Sequence, residues 1–195
     1  LDEFAMDWSL IDIEKYIIPY AGMGRVLKGF VVTRGCPHSC GFCYNQFFNE
    51  RKWRRKSAPC AISELNSLVK AHRLDGVLFF DDNFTANRKW ALDVLQGLSA
   101  NAIHIETRID YVTKEFLDAL VERNVKGLFF GIESASDRLL RFMTKGFCLE
   151  DTRRALGLLR HYPFQYKLSF VVGVPTETLG EYRATLELMV WCLEN

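Results

Sequence analysis

From residue 30 onward the chain alternates between two kinds of segment, and this alternation narrows its folds more than anything else in its 195 residues. Short runs rich in β-branched and aromatic residues fall at 30–33, 77–80, 103–107, 128–132 and 168–172. They are apolar at nearly every position, as strands covered on both faces are; a strand with one wet face alternates instead. Amphipathic stretches separate them. Residues 59–73 place Ile62, Leu65, Leu68 and Val69 on one helical face, and 88–99 do the same with Ala91, Leu92, Leu95 and Leu98. Thr113 stands where an N-cap belongs, ahead of Phe116, Leu117, Leu120 and Val121. Further helices are expected after Ser136, over 149–161 and from about Thr178. Strand and helix repeated in this way predict an α/β fold with a parallel sheet, either open or curling into part of a barrel. In both architectures chemistry belongs at the carboxyl edge of the strands. The loops that land there, 34–44, 81–84, 108–110, 133–136 and 173–177, carry polar, charged, Gly or Pro residues, while the opposite loops are short and bland.

Charge excludes several function classes. Twenty-five Lys plus Arg against 24 Asp plus Glu leave a net +1, so any polyanion binding must be local. No apolar run approaches the roughly 20 residues of a spanning helix, and the first residues lack a basic stretch followed by an apolar one. No membrane insertion and a cytoplasmic location are therefore expected. Residues 1–29 show no sustained period and read as a lead-in from an upstream domain, with 30–195 as the core. Because the chain starts with Leu1 and stops inside a helical pattern, it is expected to be a piece of a longer polypeptide.

Six cysteines are unevenly placed: Cys60, Cys148 and Cys192 are solitary, whereas Cys36, Cys40 and Cys43 crowd into eight residues. That favours a reducing compartment and a metal or cluster site over a disulfide scaffold. The segment Gly35-Cys36-Pro37-His38-Ser39-Cys40-Gly41-Phe42-Cys43-Tyr44 has the spacing C-x3-C-x2-C and follows the first strand. Three thiolates on a four-iron cubane would leave one iron open to a further ligand. A zinc site is the alternative, but it takes four closed ligands, commonly in C-x2-C pairs, and a second pair is missing. A C-x-x-C redox pair of Cys40 and Cys43 leaves Cys36 without a role.

This spacing resembles the signature of the radical S-adenosylmethionine (radical SAM) superfamily. The resemblance continues in order through Phe79-Phe80-Asp81-Asp82-Asn83-Phe84-Thr85, Gly131-Ile132-Glu133-Ser134, Met143-Thr144-Lys145-Gly146 and Val172-Gly173-Val174-Pro175-Thr176-Glu177-Thr178, covering residues 30 to about 190. It is similar above all to the branch that carries a cobalamin-binding domain upstream, and to the related methylthiotransferases; the stretch from Phe4 to Ile17 resembles the connection to such a domain. The resemblance implies a partial, TIM-like barrel of six β/α units, five of them visible and the sixth past Asn195. It implies that Cys36, Cys40 and Cys43 ligate a [4Fe-4S] cluster whose fourth iron chelates S-adenosylmethionine, with Phe42 against the adenine. Asp81, Asp82 and Asn83 stand where many relatives have Gly-Gly-Glu and would accept from the ammonium, although Asp81 could instead cap the next helix. Arg108 would pair with the methionyl carboxylate, against an ion pair with Asp110 or Glu106. Glu133, assisted by Ser134, would bind the ribose hydroxyls, and Gly173 and Pro175 would bring backbone close to the adenine.

The implied reaction is reductive cleavage of S-adenosylmethionine to methionine and a 5′-deoxyadenosyl radical. Its electron would come from a reducing protein such as flavodoxin or ferredoxin, and its substrate would be a small molecule or peptide. An upstream cobalamin would favour methyl transfer or cyclisation. The basic run Arg51-Lys52-Trp53-Arg54-Arg55-Lys56 keeps two RNA readings open, a tRNA methylthiotransferase and a zinc-stabilised module binding RNA or protein, but a solvated loop or a cofactor-side contact is favoured. His38 reads as loop filler, His72, His104 and His161 as packing or surface residues, and Cys148 and Cys192 as small core residues.

Overall fold

The computed structural model describes residues 1–3, 6–20 and 22–194. Phe4 and Asn195, the points from which the connecting stretch and the expected sixth unit were reckoned, lie outside the described residues. A hairpin of β1 (Ile17–Tyr20) and β2 (Gly24–Phe30) begins the main sheet, and a small ribbon of β3 (Thr33–Arg34) and β4 (Arg54–Arg55) stands apart from it. The main sheet continues through β5 (Gly76–Phe79), β6 (Ala102–Thr107), β7 (Val125–Glu133) and β8 (Gln165–Phe170), in the order β1-β2-β5-β6-β7-β8. Within this sheet only the β1–β2 pair is antiparallel; β2, β5, β6, β7 and β8 run parallel, as the alternation predicts. The helices are α1 (Asn45–Phe48), α2 (Ala58–His72), α3 (Arg88–Gly97), α4 (Lys114–Val121), α5 (Asp137–Phe142), α6 (Leu149–Leu159) and α7 (Leu179–Glu194). None is long and apolar enough to cross a membrane.

Local chemistry sets these boundaries. Ser57, Asn87, Thr113 and Ser136 each accept a bond from the backbone N–H three residues on, satisfying a donor the following helix would otherwise leave unpaired. The helices cover the convex face of the sheet, where Leu65, Phe79, Ile103, Ile105, Leu117, Leu128 and Phe130 form one buried core.

The first parallel strand lies upstream of its expected place: it is Gly24–Phe30, not 30–33, so the sheet starts inside the segment read as lead-in. Arg25 and Lys28 are exposed in this strand and Gly29 interrupts its register, which hides the strand from an apolar pattern. Beyond Phe30 the backbone leaves the sheet because Val32 and Thr33 donate to the Asp81 carboxylate, at 3.1 Å for Val32, rather than to a neighbouring strand. β1 was not foreseen either; it carries exposed Pro19, which an edge strand tolerates.

Although β1 and β8 are opposite edges of the sheet, they meet at one end. Lys167 Nζ lies 5.0 Å from the Tyr20 ring centroid, and Tyr20 stands edge-on to His104 at 6.4 Å. The sheet is therefore curled into a half-barrel. Met23, from the β1–β2 turn, packs with Val26, Leu78 and Ala102 on the concave side and closes its amino end.

Candidate functional site

At the other end, the loop leaving β2 is built around Gly35. Its φ of +84° lies in the left-handed region, and a Cβ there would come within 2.2 Å of the Lys52 carbonyl oxygen, so only glycine fits. Asp82 closes this loop from both sides: Gly35 N–H donates to its Oδ2 at 2.9 Å and the Tyr44 hydroxyl to its Oδ1 at 2.7 Å. Mid-loop, Gly41 N–H donates to the Met143 carbonyl at 2.8 Å, and His38 Nε2 pairs with the Tyr111 hydroxyl at 2.7 Å. Burial lowers the His38 pKa to about 4, helped by the Arg108 charge. The loop is thus fastened to β5, β6 and α5 through the residues that follow each of them.

Cys36, Cys40 and Cys43 are free and line one cleft. Asn83 reaches Cys36 Sγ at 3.8 Å, and burial pushes the Cys36 thiol upward. Among the described residues no three His, Cys, Asp or Glu side chains gather as ligands of a single ion.

The wall facing the cysteines comes from β6, β7 and the turn after α5. Arg108 is 8% exposed and clamps Asp110 through Nε at 2.9 Å and Nη2 at 3.0 Å, while Nη2 also donates to the Lys145 carbonyl at 2.6 Å. The ion pair with Asp110 that the sequence left open is therefore present, and Arg108 still lines the cleft. Glu133, with φ +68°, and Lys145 are both buried and pair at 3.0 Å. Lys145 Nζ also lies 5.7 Å from the Phe42 ring centroid. Gly173 and Pro175 line an adjoining apolar cleft that shares Phe42 and adds Gly41, Phe142, Val172 and Val174.

Three residues expected at the cleft do not line it: Asn83 is buried beside Cys36, and Asp81 and Ser134 are placed elsewhere. Asp81 is wholly buried behind the loop, accepts at Oδ1 from Val32 and Thr33 N–H, and caps no helix; burial raises its pKa to about 6. Ser134 is also wholly buried and packs toward α7, with Thr185 Oγ1 at 3.3 Å and Ser136 N–H at 3.1 Å. Asp82 takes the cleft position that its neighbour Asp81 does not.

Sequence reasoning did not single out Lys145 or Glu106 as site residues. Glu106 lines the cleft from β6 and pairs in register with Phe129, which pairs with Lys167. Paired positions of a parallel sheet share a face, so these three form a row across the concave side. Exposed Phe80 lies on that side too, under Lys28 Nζ at 5.9 Å. Burial, with the charges of Asp81 and Asp82, raises the Glu106 pKa to about 7. An acid inside the apolar run 103–107 was the signal for it; for Lys145 it was the Met143-Thr144-Lys145-Gly146 segment.

Elsewhere, Lys56 of the basic run is buried against Glu64, so this residue is not solvated. Cys148 precedes α6 and donates to Asp151 at 3.2 Å, a partly exposed capping position rather than a core one. Cys192 packs against the core. His104 is buried with neither ring nitrogen bonded, and His72 pairs with Glu14 at 3.2 Å.

The family model described as the Radical SAM superfamily matches residues 30–189. An uncharacterized methyltransferase of Pyrococcus horikoshii is 29% identical over 184 residues, 92% of this chain and 39% of that protein. The anaerobic magnesium-protoporphyrin IX monomethyl ester cyclase of Synechocystis sp. is 30% identical over 171 residues, 83% of this chain and 33% of that protein. The chain thus spans between a third and two-fifths of the length of these relatives. Among solved structures, the radical S-adenosylmethionine methyltransferase TsrM of Kitasatospora setae, with cobalamin and a [4Fe-4S] cluster bound, superposes with a TM-score of 0.73 at 18% identity. That match covers 85% of this chain and 34% of TsrM; at such identity it speaks for the half-barrel alone. With the family model covering most of its length, the chain belongs to the radical SAM superfamily of enzymes.

Proposed function

We propose that this chain is the part of a larger radical SAM enzyme that holds a [4Fe-4S] cluster and S-adenosylmethionine, and that the whole protein carries out methyl transfer or cyclisation with a cobalamin bound by an upstream domain. One observation carries the reading: three free cysteines share a cleft with Asp82, Arg108, Glu133 and Lys145, and an apolar annex begins at Phe42. The donor set fits the group, because three thiolates from one fastened loop leave a cubane one open corner. When bound, the cluster and S-adenosylmethionine together supply one-electron cleavage of a carbon–sulfur bond and an adenosyl radical.

The residues of the chain bind and orient. Cys36, Cys40 and Cys43 hold the cluster. Asp82, already acting on the loop, offers negative charge to the ammonium, and Asn83 steadies Cys36. Arg108 and Lys145 provide positive charge for the methionyl carboxylate, and Glu133 accepts from the ribose hydroxyls with its carboxylate fixed by Lys145. Phe42, Gly173 and Pro175 surround the adenine. On the concave side, Phe80 and the Glu106–Phe129–Lys167 row face a small organic substrate. The relatives support the outcome, since they are named as a methyltransferase and a cyclase, and the structurally similar TsrM is described with cobalamin bound.

Anaerobic reconstitution with iron and sulfide tests the proposal. About four irons per chain are expected, with an electron-resonance spectrum that changes on adding S-adenosylmethionine and with 5′-deoxyadenosine released under dithionite. Cys40→Ala should lose the iron and keep the circular dichroism of the fold. One tightly bound zinc, with no adenosyl product, would overturn it.

A further inference from the structure

The reading above requires that single electrons reach the cysteine loop from outside, and the surface beside that loop has an unusual composition. Helix α1 starts two residues after Cys43 and presents Phe47 and Phe48 to solvent, 78% and 80% exposed. The chain then turns sharply through Glu50 and Arg51, both left-handed with φ of +50° and +57°, and enters β4. Because Arg54 pairs with Arg34 and Arg55 with Thr33, the ribbon and the turn put Arg34, Arg51, Lys52, Arg54 and Arg55 on the surface, all exposed. Glu50 is the one acid between residues 47 and 57, so five cations are gathered locally in a chain of net charge +1. This surface also touches the loop directly: the Lys52 carbonyl occupies the space beside Gly35, the residue before Cys36.

We infer that Phe47, Phe48 and the surrounding cations form the docking surface for an acidic one-electron donor protein of the flavodoxin class. The inference rests on the proposed cluster. Charge complementarity argues for this partner, since electron-transfer encounters are small, transient and steered by opposite charge around an apolar centre. RNA is favoured less, because Trp53, the ring within the basic run, packs edge-on to Trp90 at 5.5 Å under the Arg55 guanidinium and presents no free face for a base. The transfer moves one electron: the donor's reduced flavin is oxidised by one electron and the cluster is reduced by one.

The test uses purified flavodoxin as the probe, with wild-type protein, Arg51→Glu/Lys52→Glu and Phe47→Ser/Phe48→Ser. Binding of oxidised flavodoxin is measured by calorimetry at low and high salt, which needs no cluster turnover. Each double variant should weaken binding at least tenfold at low salt, and wild-type binding should weaken as salt rises. At subsaturating flavodoxin, 5′-deoxyadenosine formation should fall about tenfold, while the dithionite-driven rate stays within twofold of wild type. Unchanged flavodoxin binding in both variants overturns the surface, as does loss of binding to a tRNA transcript alone. If dithionite yields no adenosyl product even from wild type, the proposed cofactor chemistry has failed, and the calorimetry still decides the surface.

Discussion

The two ends of the half-barrel are held by opposite means. At the amino end Met23, Tyr20 and His104 pack beneath the sheet, and Gly127 is bare so that they can: a Cβ there would lie 2.3 Å from His104 Cδ2 and 2.9 Å from Met23 Cε. At the carboxyl end buried charges are paired, Glu133 with Lys145 and Arg108 with Asp110. One end is closed by apolar packing around the ring of His104, and the other holds paired charge in a cleft. The difference teaches that the candidate cofactor-binding geometry is concentrated where charge is buried.

Lys145→Met should break this contrast most. It leaves Glu133 charged and buried without its partner, which lowers unfolding free energy by about 3–5 kcal/mol at neutral pH, measured by urea denaturation. An unchanged midpoint would show that the carboxyl end does not depend on this pair. Gly127→Ala probes the other end: overpacking by one methyl should cost about 1–3 kcal/mol, read by thermal melting, with iron retention per chain unchanged. If iron is lost in proportion to stability, the two ends are not separate.

Asp81→Asn gives the smallest shift and sharpens the contrast through pH. The folded pKa of Asp81, about 6, lies above its ordinary value of 3.8, so the folded state holds this proton more tightly than the unfolded one. Stability from this group is then greatest in acid and falls as pH rises from about 4 to about 6. Relative to Asp81→Asn, wild type should lose on the order of 1–2 kcal/mol between pH 5 and pH 8, measured as the difference in urea unfolding free energies. A wild type that instead gains over the variant in this interval would place the carboxylate in an ion pair.

Much of this was readable in the sequence because its signals are local. Caps such as Thr113 and Ser136 announce helices, and C-x3-C-x2-C announces three sulfurs on one loop. What escaped depends on partners far along the chain. Asp81 and Asp82 are adjacent and chemically alike; which one meets the cleft is decided by the backbone of residues 32–35, which bonds both. β2 was misplaced because Arg25 and Lys28 occupy it, and nothing local says that one face of the strand turns toward an open concavity. Glu106 acquires meaning only from the pairing that sets it beside Phe129.

The carboxylate of Asp82, bonded at both Gly35 and Tyr44, has a bearing on durability. A segment belted at its two ends is expected to keep its outline when the proposed cluster is lost, so that little chain ordering would have to be repeated on refilling. For the proposed cluster, damage by air would then be confined to the mineral part, and repair would be a matter of resupplying iron and sulfide.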